Sequence, residues 1–150
     1  MSGQVNVVCG PPCGGKSTYV ARYKAEGDCV IDLDTLGVAL GGEEHMNVSP
    51  LWRVAYAARK AAIAEAVRQP LNVWIIDTSP TEGRAARYRR IGAKFHVVDP
   101  GMGECLHRAK VDGRPRFTMA AIREWYEKGL PPEVTKRAGT VREMVLPQPF

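Results

Sequence analysis

Cysteine is scarce in this sequence and poorly placed for metal or disulfide chemistry. Cys9, Cys13, Cys29 and Cys105 form no C-x-x-C pair, so zinc-ribbon and redox-motif readings have nothing to build on. Histidine is scarcer still. His45, His96 and His107 make no local ligand pattern, and each is expected as an ordinary buried or surface residue, His96 in the core. No apolar run is long enough to cross a bilayer, and Met1 to Gln4 leads straight into a short apolar segment without a basic, leader-like stretch. Neither a membrane partner nor a secretory signal is expected, and reduced thiols in a cytoplasmic protein are. Internal repeats and low-complexity stretches are also missing, and with 150 residues, 45% of them hydrophobic, the expectation is one domain over 1–150 with one sizeable core.

What is present begins at residue 10. Gly10, Pro11, Pro12, Cys13, Gly14, Gly15, Lys16 and Ser17 spell G-x-x-x-x-G-K-S, directly after the apolar run Val5 to Cys9 and before a stretch from Ser17 to about Lys24 that reads as helix. A glycine-rich turn between strand and helix lets successive backbone N–H groups converge on phosphate, at the positive end of the helix. ATP or another nucleoside triphosphate is therefore the expected ligand, held by Gly10, Cys13, Gly14, Gly15, Lys16, Ser17 and Thr18. Lys16 is expected on the terminal phosphates and the Ser17 hydroxyl on Mg²⁺. Pro11 and Pro12 lack N–H groups, which leaves the cradle to the amides from Cys13 onward. A thiol near a helix start has a physical reason to be acidic, so Cys13 is the cysteine to watch.

Three further apolar segments end in acids: Asp28 to Asp34, Leu71 to Asp77 and Phe95 to Asp99. Continuous apolar runs separated by helical segments predict an α/β fold: a single three-layer domain of the P-loop NTPase type, with a small, mainly parallel sheet. Ser49–Pro50 predicts the start of a helix running to Gln69, and Ser79–Pro80 a shorter one stopping at Gly92. Thr118 is expected to cap a helix whose Ala121, Ile122, Trp125 and Tyr126 form a core stripe. Residues 37–47 read as a surface loop, and 131–150 as a proline-rich tail with an edge strand at Val141 to Leu146.

Ligands of open parallel sheets bind beyond the carboxyl ends of the strands, which brings Asp32, Asp34 and Asp77 to the phosphate loop. Phosphoryl transfer to a hydroxyl needs a cradle, Mg²⁺, a proton acceptor and cations. Asp34 is the candidate base. Asp32 either orients the magnesium shell or caps the strand end; Asp77 serves Mg²⁺, or the acceptor together with Thr78, or is a strand-end acid capping the Ser79 turn. Arg84, Arg87, Arg89 and Arg90 share one short helix, with Arg84 and Arg87 on one face; this is either a solvated basic face or a phosphate site. Arg108, Arg114 and Arg116 surround a glycine-containing segment between helices, as in an arginine-bearing lid, and at least one is expected to reach the nucleotide. A formal net charge of +5 suits a phosphorylated or nucleic-acid partner.

In this order the motifs resemble the small P-loop kinases, and most closely the 5′-kinase domain of bacteriophage polynucleotide kinase. The matching pieces are Lys16–Ser17–Thr18, the strand ending at Asp34, Asp77–Thr78, Asp99–Pro100, the run Glu104 to Arg108, and the helix with Ile122 and Tyr126. The resemblance implies Asp34 as general base, Asp77 and Thr78 beside the acceptor phosphate, and 108–116 as the lid. The implied acceptor is a nucleic-acid 5′ end. Two departures stand out: the family usually has an arginine three residues after the base, where this chain has Gly37, and a second lid arginine falls near Asp112. Asp32–Leu33–Asp34 also resembles the D-x-D element of shikimate-kinase-like enzymes, so a small hydroxylated or phosphorylated metabolite, a nucleoside or nucleotide acceptor, or a P-loop ATPase that transfers only to water are the alternatives.

Overall fold

The computed structural model describes residues 3–44, 50–136 and 138–141. Five strands form one wholly parallel sheet in the order β2-β3-β1-β4-β5: β1 (Val5–Cys9), β2 (Cys29–Asp32), β3 (Val73–Ile76), β4 (Lys94–Val98) and β5 (Gly139–Val141). All residues of β1 and β3 are buried, because both faces of the sheet carry helices and alternation has no solvent side to serve. The tail strand is present, but as Gly139–Val141 rather than beginning at 141; positions 142–146 lie outside the described residues.

Alternate residues divide the sheet into two apolar layers. Val5, Val7, Ile31, Val73, Ile75, Phe95 and Val97 point to one side. There they meet Ala66 of α3 (Leu51–Ala66), Ala85 and Tyr88 of α4 (Glu82–Arg90), and Val134 of a short α7 (Pro132–Thr135). On the other side Val8, Trp74, Ile76 and Val98 pack on Tyr19 and Val20 of α1 (Lys16–Tyr23). Each fully buried Val or Ile contributes about 1.5–3 kcal/mol, so these layers hold the strand ends, and the loops on them, in fixed relation. His96 belongs to the second layer and is half-buried, accepting from Tyr19 and joined to Asn6 Oδ1 through Nε2. Burial, reinforced by Lys94, holds its imidazole below the usual pKa.

Several element starts differ from expectation. The segment after β2 is not a loop from Gly37: the chain turns into α2 (Leu33–Ala39) immediately after the strand. Ser49 and His45 lie outside the described residues, and α3 begins just after Pro50 and stops at Ala66, short of Gln69. The cap of α4 is Thr81 rather than Ser79; its hydroxyl accepts from Arg84 N–H. Thr118 caps nothing, since α6 (Arg116–Lys128) starts two residues earlier and Thr118 is buried within it. The stripe on α6 behaves as expected: Ile122 is fully buried against Cys105 and Ala109 of α5 (Met102–Val111).

Candidate active site

The glycines of the phosphate loop are there because the backbone runs into its neighbours. A Cβ on Gly10 would lie 2.2 Å from the Val98 carbonyl oxygen, and one on Gly14 would lie 2.8 Å from that of Pro11. Gly14 N–H closes the turn on Pro11 O. Gly15 takes φ 91° as the residue before α1 and supplies no side-chain cap, which leaves the first amides of that helix to a ligand. Cys13 is the one described non-glycine residue with positive φ, at 60°. Its thiol is not acidic: burial pushes its pKa up and outweighs the nearby Arg114, Lys16 and Arg108.

Lys16 lies back along its own loop, its amine donating to Gly10 O at 3.0 Å and Pro11 O at 2.7 Å. Loss of water around that amine lowers its pKa to about 8, and the charges of Asp32 and Asp34 are among those that oppose the shift. Ser17 and Thr18 are exposed beside it.

Asp32 and Asp34 do not share the side of an extended strand, as their spacing suggested. The helix begins between them, and Asp32 becomes the cap of α2, accepting from Thr35 Oγ1 at 2.9 Å and more weakly from Asp34 N–H at 3.4 Å. Of the two roles expected for Asp32, the structure displays the cap. Asp34 sits in the first turn of α2, at the same rim as the loop.

Asp77 is placed differently from a metal-side carboxylate. It is buried at 5% exposure, and Arg84 holds it with two hydrogen bonds, Nε at 2.6 Å and Nη2 at 3.1 Å. Arg59 reaches it from α3 at 3.0 Å, and the Tyr88 hydroxyl donates at 2.8 Å. Burial alone would push Asp77 up; the Arg84 hydrogen bond and the charges of Arg59 and Arg84 outweigh it and keep the carboxyl below its usual range. In this arrangement both oxygens of Asp77 are taken by cations, and it anchors Arg59 and Arg84. Sequence reasoning missed Arg59. The available signal was its place two turns after Trp52 and one after Ala55, on a helix face otherwise buried, because a cation on such a face needs an anion.

Thr78 carries the end of β3 to the loop. Its carbonyl accepts from Gly10 N–H at 3.3 Å and from the Trp125 indole at 2.8 Å. On the other flank Arg108 of α5 donates to Cys13 O at 3.3 Å, and its Nη1 is 3.4 Å from where a Cβ on Gly15 would be. Of the three arginines expected in a lid, Arg108 is the one that touches the loop. Arg114 follows in the 112–115 connector, 4.0 Å from Asp112, and Arg116 is exposed. Glu44, Asp112, Gly113, Arg114 and Pro115 line a cavity of about 450 Å³ between the lid connector and the segment after α2. Arg87 stays exposed on α4, outside this contact set.

Among the described residues no group of three His, Cys, Asp or Glu side chains is arranged to hold a metal ion, and no helix is long and apolar enough to cross a membrane. Ser17, exposed at the start of α1, is the residue that could hold a magnesium ion together with the phosphates of a nucleotide.

Residues 5–127 match a family model described as an AAA domain. Similar folds occur in the structure of the Pnkp1/Rnl/Hen1 complex, at TM-score 0.59 and 20% identity over 71% of this chain, and in a gluconokinase from Sinorhizobium meliloti 1021, at 0.58 and 17% over 93%. Shikimate kinase from Acinetobacter baumannii, in complex with shikimate, gives 0.57 and 17% over 91%. The alignment covers 39% of the first of these chains, 81% of the second and 82% of the third. No curated protein matches the chain.

Proposed function

Since the chain belongs to the AAA domain family that its residues 5–127 match, and has the fold of the small P-loop kinases, we propose that it transfers the terminal phosphoryl group of ATP to a hydroxyl, with the 5′-hydroxyl of a polynucleotide as acceptor. The observation that carries this reading is the position of Lys16, whose amine lies on Gly10 O and Pro11 O at the rim that also bears Asp32 and Asp34.

The amides from Cys13 to Ser17 would take the phosphates, and the Lys16 amine would leave its two carbonyls to bridge the terminal ones. Ser17 would hold Mg²⁺, which neutralises charge on the β- and γ-phosphates. Asp34 would accept the proton of the attacking hydroxyl, provided that hydroxyl comes within about 2.6–3.2 Å. Arg108, already on the loop, would stabilise charge on the transferring group, with Arg114 and Arg116 brought up by the lid. Thr78 and Arg84, fixed by Asp77, would face the acceptor. The whole domain 1–150 serves this one site.

A second reading has its own observation. The cavity of about 450 Å³ between Glu44 and the 112–115 connector is open and mostly polar, with room for a small hydroxylated metabolite, which supports an acceptor of the sugar-acid or shikimate type. Transfer of label from γ-labelled ATP to a panel of 5′-hydroxyl oligonucleotides, nucleosides, nucleotide monophosphates, gluconate and shikimate decides between them. Labelled oligonucleotide supports the first reading, a labelled metabolite the second, and free phosphate alone overturns both in favour of an ATPase.

A further inference from the structure

The four arginines of α4 are not equivalent. Arg84 is held by Asp77 and also donates to Ser79 O, and Arg89 pairs with Glu133 of α7 at 3.1 Å. Arg87 and Arg90 are exposed and have no acidic partner among the described residues. Arg84, Arg87 and Arg90 follow one another at three-residue spacing, so they are neighbours along one ridge of the helix. At 1.5 Å per residue the ridge runs about 9 Å, and because α4 leaves the carboxyl end of β3, it starts at the acceptor rim and leads away from it. Three cations in a row repel one another. One of them is compensated within the fold; the other two are left to something outside it.

A ligand of one ring, seated at the rim, would have no use for charges so far down the helix. A chain of evenly repeated anions would. We propose that the ridge Arg84–Arg87–Arg90 is a track for the phosphate backbone of a single-stranded nucleic acid whose 5′ end lies at the active site. Resting on the polynucleotide reading above, this assigns the surface over which the strand leaves the site. Each backbone phosphate neutralised on a single strand contributes about 0.7 to the slope of log affinity against log salt.

The test compares wild-type protein, the double variant R87Q/R90Q, and R68Q as a charge control; Arg68 is exposed on the chain after α3 and pairs with Glu65. Transfer to a short single-stranded 5′-hydroxyl oligonucleotide and to a nucleoside 3′-monophosphate is measured between about 50 and 200 mM salt, with circular dichroism melts to confirm folding. R87Q/R90Q is expected to raise KM for the oligonucleotide about tenfold with kcat retained, and to reduce the salt slope by about 1.4; R68Q should do neither. An unchanged KM and slope in R87Q/R90Q, or an equal loss of slope in R68Q, overturns the track while leaving the acceptor reading intact. Wild-type protein that labels only the mononucleotide, or no acceptor, overturns the polynucleotide reading and the track with it.

Discussion

Gly37 of α2 lies directly against the indole of Trp52 of α3: a Cβ at position 37 would stand 2.4 Å from Cη2 and 2.5 Å from Cζ3. Trp52 is 3% exposed, so the ring has nowhere to go. A side chain larger than hydrogen at position 37, arginine included, is thus excluded here by packing. Gly37→Ala should destabilise the fold by about 1–3 kcal/mol, seen as a thermal midpoint several degrees lower. A midpoint equal to that of the parent would mean that α2 and α3 separate freely.

Lys16 links nucleotide affinity to pH. Its conjugate acid has a pKa of about 8 in the unliganded protein, below that of a free lysine, and only the charged form attracts phosphate. ATP binding measured calorimetrically should therefore weaken as pH rises through about 8, and Lys16→Ala should bind weakly at every pH while remaining folded. Affinity that is flat from neutral pH to well above 8 would show that the amine does not contact the phosphates.

Asp34→Asn removes the proton acceptor proposed above and keeps the shape of the first turn of α2. Single-turnover transfer should slow by a factor of about 10² to 10⁴ with ATP affinity retained. Parent-like transfer would show that the base is another group.

Asp77→Asn leaves the buried Arg59 and the half-buried Arg84 without their anion. The expected cost is about 3–5 kcal/mol, because stranding buried charge is far worse than losing an exposed pair. The same pairing has a pH signature. The native carboxyl titrates below the unfolded one, so its contribution is complete above the unfolded carboxylate pKa and is lost as pH falls through the lower native value. Denaturant unfolding of wild type and Asp77→Asn should converge in acid; a constant difference across that window would mean that the carboxyl does not carry this pH dependence, and a variant as stable as wild type but weaker in Mg²⁺-dependent ATP binding would support the metal role.

Legibility followed the range of the interaction. The phosphate loop could be read because its chemistry is contiguous: a strand, a turn whose glycines avoid Val98 O and Pro11 O, and a helix start. The parallel sheet could be read because β3 is apolar on both faces and β1 nearly so, Asn6 being its one polar residue. Asp32 misled because a helix begins one residue after it, and period-two reasoning fails where the backbone changes type. The partners of Asp77 were not legible for a different reason: they stand 18 residues before it and 7 after it, and no local pattern says that Arg59 and Arg84 will converge on it. Cys13 misled because burial outweighed the nearby cations.

The Thr78 carbonyl receives one donor from the phosphate loop and one from α6. Any displacement of α6 must therefore carry the end of β3 with it or break the indole bond, so helix, strand end and loop are tied together at one oxygen atom.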